Sequence, residues 1–198
     1  MRLVLAATGA VAALVAVAIP ARAHVAAPGP ECGGTLWRLM TLSDAGKKSV
    51  KWTVTPTSVP DIAKLPPPAR ITTARSTTFQ QNNWQVTTVI EAARIASNGE
   101  LVLQLFDVPT STYMNAYMPS PDCLPAGARG RGQLLAARSL FMKDCPAVTT
   151  RWQPIGATAQ LSGVGFWNPV KTTAGALKNG AELRPVTGLK ITQGCGHF

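Results

Sequence analysis

Beyond residue 84 the apolar and polar positions of this chain alternate mostly with a period of two, which predicts a β-rich protein. Over 85–93, Val86, Thr88, Ile90 and Ala92 alternate with Thr87, Val89, Glu91 and Ala93, a β-branched run that suits a pleated surface. Asn98-Gly99 then signals a two-residue hairpin turn, whose backbone needs positive φ at both positions. Leu101, Leu103 and Leu105 make the inward face of the returning strand, and Pro109 ends it. A third strand over 113–118 puts Met114, Ala116 and Met118 on one side. After a loop rich in Pro and Gly, the period changes. Leu134, Ala137, Leu140 and Phe141 recur at helical spacing across 133–143, with Arg138 and Lys143 turned to water. Asp144-Cys145-Pro146 stops that helix, and 159–167 and 181–186 read as two further strands.

The pattern before residue 69 is weaker. A Pro/Gly/Ala leader (24–30) precedes two short strands at 37–41 and 50–54, and one helical turn at 61–65 runs into Pro66-Pro67-Pro68. This predicts a signal segment (1–23), an N-terminal extension (24–68) and a β-barrel domain (69–198). Three meandering strands, a helix, then two strands is the order of an OB-like Greek-key barrel, with its helix between strands three and four. A partly open β-sandwich is the alternative. Gly163 and Gly165 fit a barrel, where closure bends strands sharply.

The compartment is written at the N-terminus. Arg2 begins a positive region, residues 3–19 are apolar, and Ala21-Arg22-Ala23 is an A-x-A cleavage signal. The apolar stretch is borderline for a membrane span and the cleavage signal follows directly. The expected product is an extracytoplasmic protein with no transmembrane anchor after cleavage. Removal of residues 1–23 leaves 17 cations against 9 carboxylates. Such a balance suits an anionic polymer or nucleic acid as partner, and equally a merely soluble surface. Cys32, Cys123, Cys145 and Cys195 form no CxxC pair, and an even count in an exported chain predicts two disulfides. Three connectivities are open; the preferred one joins Cys32 to Cys123 and Cys145 to Cys195. Loops of that size would contribute about 4 kcal/mol each in the chain-entropy view.

Three blocks carry a resemblance: CGGTLWRLMTLSD from Cys32, PSPDC from Pro119, and GVGFWNPVKTTAGALKNGAELRPV over 163–186. They resemble a family of uncharacterised exported bacterial proteins with CG-x-x-x-W…KTLSD, PSPxC and GxGFFD…IELHPV blocks. The resemblance implies no activity. It agrees with a Cys32–Cys123 bridge, since both cysteines lie inside shared blocks. Where that family has Asp and His after the glycine-aromatic kink, this chain has Asn168 and Lys171. Where it has His before Pro-Val, Arg184 stands, and its hairpin Asp and His give way to Asn98 and Glu100. Each change removes a group able to bind metal or shuttle a proton near neutrality.

Catalytic chemistry finds little support. There is no G-x-S-x-G elbow, and the two histidines, His24 and His197, sit at the ends of the mature chain. A copper-binding pair would need both, and no cofactor is expected. Carboxylate pairs would have to come from Glu91, Glu100, Asp107 or Glu182. Trp84, Trp152, Phe166 and Trp167, with Arg94, Arg151 and Arg184, could stack bases and hold phosphates. The reading is non-catalytic binding of an anionic ligand or envelope polymer on a basic face made by Asn168, Lys171, Arg184 and Arg94. The alternatives are a barrel hydrolase or nuclease, and a structural envelope protein without a small ligand.

Overall fold

A computed structural model describes residues 32–145 and 148–195 of the chain. The signal segment, His24 and His197 lie outside them. The protein is mainly β: a six-stranded sheet, few helices and two disulfides. The strands are β1 (Lys51–Pro56), β2 (Asn82–Ile95), β3 (Leu101–Asp107), β4 (Thr112–Met118), β5 (Gln153–Trp167) and β6 (Ala181–Gln193). Their order is β1-β2-β3-β4-β6-β5, and β2 also pairs with β5, so the pairing β2-β3-β4-β6-β5 returns to β2. All these contacts are antiparallel except β4–β6; β1 joins β2 in parallel.

One face of each strand from β2 to β6 feeds the main core. Val86, Ile90 and Ala93 of β2 meet Leu101, Leu103 and Leu105 of β3, with Met114, Ala116 and Met118 of β4 and Leu161, Leu183 and Val186 from β5 and β6. A register shift between Ile90 and Ala92 turns Ala93 inward where strict alternation would have pointed Ala92. The helix α3 (Arg131–Asp144) follows β4 and buries Leu134, Ala137 and Phe141 of the stripe its periodicity predicts, while Leu140 is half-buried. Arg138 departs from expectation. It lies half-buried and donates to the Met118 and Pro119 carbonyls, satisfying acceptors where β4 ends.

Two other local readings change. The segment 37–41 is not a strand but a helical turn, α1 (Trp37–Met40). Four residues of alternating burial fit one helical turn as well as a strand, and the Thr41 hydroxyl bonding the Trp37 carbonyl favours the turn. The helical turn expected at 61–65 starts earlier, as α2 (Val59–Ala63), because Ser58 caps it by accepting from the Asp61 amide. At the β2–β3 hairpin only Gly99 has positive φ, +74°. Ala96 and Glu100 close a three-residue loop, and the Asn98 side-chain Oδ1 accepts from the Glu100 amide. A three-residue loop needs one left-handed position, not two.

The N-terminal segment is tied to the sheet by charge and sulfur. Buried Arg75 donates to both Asp44 oxygens, at 3.2 and 2.8 Å, and to the Leu39 and Gln80 carbonyls. Arg129 donates to the carbonyls of Lys47, Lys48 and Val50 while stacking on Trp52. Cys32 bridges Cys123 and Cys145 bridges Cys195, with Cα separations of 5.3 and 5.5 Å, which is the preferred connectivity. Gly165 on β5 lets the Phe79 backbone approach: a Cβ there would stand 2.2 Å from the Phe79 oxygen. Gly165→Ala should therefore destabilise the fold by roughly 1–3 kcal/mol, the usual cost of overpacking. A urea titration showing an unchanged midpoint would contradict this.

Candidate functional site

Alternation on β6 sends Ala181 and Leu183 into the core and Glu182 and Arg184 to the opposite face. On β3 and β4 the same rule pairs Gln104 with Asn115 and Val102 with Tyr117 across the strands. The result is a polar face over β3, β4 and β6 that is buried except at half-buried Gln104. Glu100, Asn115 and Glu182 are each at most 1% exposed, and Arg184 and Tyr117 are 6% exposed. The loop 168–180 covers them.

Arg184 is the centre of this face. Its Nε donates to Glu100 Oε1 at 3.0 Å and its Nη2 forms a very short contact with Glu100 Oε2, a two-point pair. Its Nη1 stands 3.7 Å from Glu182 Oε2. The guanidinium also lies 4.2 Å over the Tyr117 ring and 5.6 Å from that of Phe166. Asn98 adds a bond to Glu100 Oε2, and Asn168 donates to Glu182 Oε1 at 2.8 Å. Thus the hairpin turn, the end of the glycine-rich kink and the last strand meet at one cluster.

Two carboxylates share one guanidinium here, and Glu182 is the more distantly paired of the two. Burial pushes its carboxyl up to about 7; Arg184 and the Asn168 bond oppose the rise, and Glu100 adds to it. Burial likewise raises the Tyr117 phenol, so it stays a neutral donor. Arg138 lies close enough to feel the Glu100 charge, and burial lowers its pKa.

The four residues expected to form the basic face do not share one surface. Asn168 and Arg184 do meet within the cluster, through Glu182. Arg184, however, is buried and paired rather than facing solvent. Lys171 is exposed on the covering loop. Arg94 sits on β2, paired with Val102 in register, and stacks over Trp152 at 5.2 Å. Sequence reasoning passed over Asn115, Gln104 and Tyr117. The signal was present: opposite the apolar side of β4 runs Tyr113, Asn115 and Tyr117, an unusually polar outward row. Of the carboxylates once considered as pairs, Glu100 and Glu182 converge, whereas Glu91 accepts from Tyr113 and Asp107 from Thr110. Among the described residues no three His, Cys, Asp or Glu side chains group as a metal site, and no helix is long and apolar enough to cross a membrane.

A second feature is an aromatic cleft of about 290 Å³ lined by Leu65, Pro66, Thr77, Thr78, Phe79, Trp84 and Trp167. Its indole N–H groups are already used, Trp84 on the Phe79 carbonyl and Trp167 on the Thr77 hydroxyl.

No protein-family profile matches this chain, and no curated protein does. Among solved structures it is similar to asparaginyl-tRNA synthetase of Entamoeba histolytica, at 13% identity over 74% of this chain with a TM-score of 0.40. The same enzyme with bound asparaginyl-adenylate gives 14% identity, 65% coverage and a TM-score of 0.37. The chain spans 25% of the length of those synthetase chains.

The raised Glu182 value has a direct consequence. Between 4.5 and about 7 the folded chain holds a proton that the unfolded chain has lost. The stabilisation from this group is complete below 4.5 and is lost as pH rises to about 7, a change on the order of 3 kcal/mol. Glu182→Gln should flatten the fall in Tm between pH 5 and 7.5; a slope equal to that of the natural chain would show the proton is elsewhere. Arg184→Ala strands two buried carboxylates and should cost roughly 3–5 kcal/mol at pH 7 by chemical denaturation. A cost under about 1 kcal/mol would mean the pair is solvated.

Proposed function

We propose that this chain is an exported OB-like barrel protein that binds an anionic polymer without transforming it. The observation that carries the reading is the division of charge between inside and outside. The described residues include 17 lysines and arginines and 8 carboxylates. Two of those cations, Arg75 and Arg184, and three of the carboxylates, Asp44, Glu100 and Glu182, are buried. The remaining surface therefore carries 15 cations against 5 carboxylates, a stronger imbalance than the whole chain suggests. Such a field attracts polyanions and keeps hold of them through counterion release.

The barrel reading draws on the strand order, which returns to its first member with a helix between the third and fourth strands of the ring. Binding rather than turnover is favoured because both carboxylates on the polar face are committed to Arg184. Export draws on the A-x-A pattern and on the family resemblance, and two disulfides agree with an oxidising compartment. The cations that meet the polymer are then Lys171, on the exposed loop, and Arg94 beside Trp152, while Arg184 orders the surface from beneath.

Retention on a heparin column is the simplest test. The natural chain should elute at raised salt, and Lys171→Glu with Arg94→Gln should elute earlier with circular dichroism unchanged. Elution of the natural chain in the void at low salt would overturn the proposal. Unchanged retention in the double variant would remove these two residues from the site.

A further inference from the structure

The cover on the polar face is built in two unequal halves. From Leu177 onward it is anchored. Leu177 enters the main core, and the Asn179 amide donates to the carbonyls of Ile62, Ala63 and Leu65. From 169 to 175 it buries no apolar side chain, and Val170 is 57% exposed. This half meets the face where Gly175 sits against Asn115 and Gln104, with Thr173 close to the Tyr117 hydroxyl. Asn168 and Gly180 are bonded backbone to backbone at 2.8 Å, which fixes the base of the loop while 169–175 arches above it.

What lies beneath is poorly matched to its cover. Asn115 is fully buried, yet neither its Oδ1 nor its Nδ2 has a hydrogen-bond partner among the described residues. Glu182 Oε2 makes no hydrogen bond and faces Arg184 Nη1 at 3.7 Å. Buried amides are normally paired on both sides, so an unpaired one marks a surface shaped for something other than the loop above it. Its chemistry is specific: a coplanar donor and acceptor on one amide, Gln104 beside it in register, and the Tyr117 ring next along the strand. A flat ligand with a donor and an acceptor on one edge satisfies all three, and that is the form of a nucleobase.

We propose that 169–175 is a displaceable cover and that the face beneath it, built on Gln104, Asn115 and Tyr117, takes bases of a single-stranded nucleic acid. This rests on the polyanion reading above and narrows it. The base stacks against Tyr117, whose ring already carries the Arg184 guanidinium, and pairs with the Asn115 amide. The phosphates follow Lys171 and the cationic surface around it. The cover holds the face shut in the free protein, and binding exchanges the Thr173 and Gly175 contacts for those of the base.

The test compares a short oligodeoxyadenylate with an abasic deoxyribose-phosphate strand of equal length, using fluorescence anisotropy. The natural chain should bind the base-bearing strand about tenfold more tightly. Asn115→Ala should bring that ratio toward one and leave abasic binding unchanged. In Gly175→Val the new side chain meets Asn115 Oδ1, 2.7 Å from the Cβ position, at a φ of +82°. It should lift the cover, speed tryptic cleavage after Lys171, and raise affinity for the base-bearing strand several-fold. Thr173→Val is a milder opening variant should Gly175→Val fail to fold. Equal affinity for the two strands, in the natural chain and in a variant whose cover trypsin cuts, would overturn this inference while leaving polyanion binding intact. Failure to bind either strand at low salt would overturn both.

Discussion

The Arg184 guanidinium, taken out of water and shared between Glu100 and Glu182, sets the terms for half of this molecule. A buried cation needs compensating charge and filled donor positions, and here the hairpin turn and β6 supply them together. Glu100 can serve because Asn98 and Gly99 bend the hairpin so that its carboxylate points inward. Glu182 can serve because Asn168 holds its other oxygen. Tyr117 and Phe166 complete the enclosure with ring faces. Burial raises the Glu182 carboxyl, Arg184 opposes the rise, and the Glu100 charge adds a smaller push in the same direction as burial.

A second buried guanidinium plays the matching part at the N-terminal end. Arg75 joins Asp44, Leu39 and Gln80, so the segment after Cys32 is held against the strand that begins at Asn82. With the Cys32–Cys123 bridge and the Arg129 contacts, it makes β1 and α1 parts of one structure. Burying three carboxylates in these two clusters also strips negative charge from the surface. The interior pairing and the basic exterior are two results of one arrangement.

Regular periodicity was legible. β2, β3, β4 and α3 follow from alternating or helical apolar positions, because burial of one face leaves a periodic mark on the residues themselves. Short elements were less so. Over four residues, as at Trp37–Met40, the strand and helix patterns coincide, and a hydroxyl–carbonyl bond settles the matter. Of the candidate site, the blocks around Asn98, Asn168 and Arg184 were recognised, and they do meet. Their burial was not foreseen, because an arginine's sequence neighbours do not reveal whether carboxylates from other strands will reach it.

The amino-acid order alone determined the β-rich class, the main helix, the disulfide-forming character of the chain and its excess of positive charge, since each is a property of composition or local period. Tertiary structure decided which cations face solvent. Arg184 and Lys171 look alike in the chain, yet one is neutralised in the interior and the other stands on the covering loop. It also decided that Asn115 would lie buried and unpaired beneath that loop. Both outcomes depend on contacts between residues tens of positions apart, and long-range pairing leaves no periodic trace in the segments it joins.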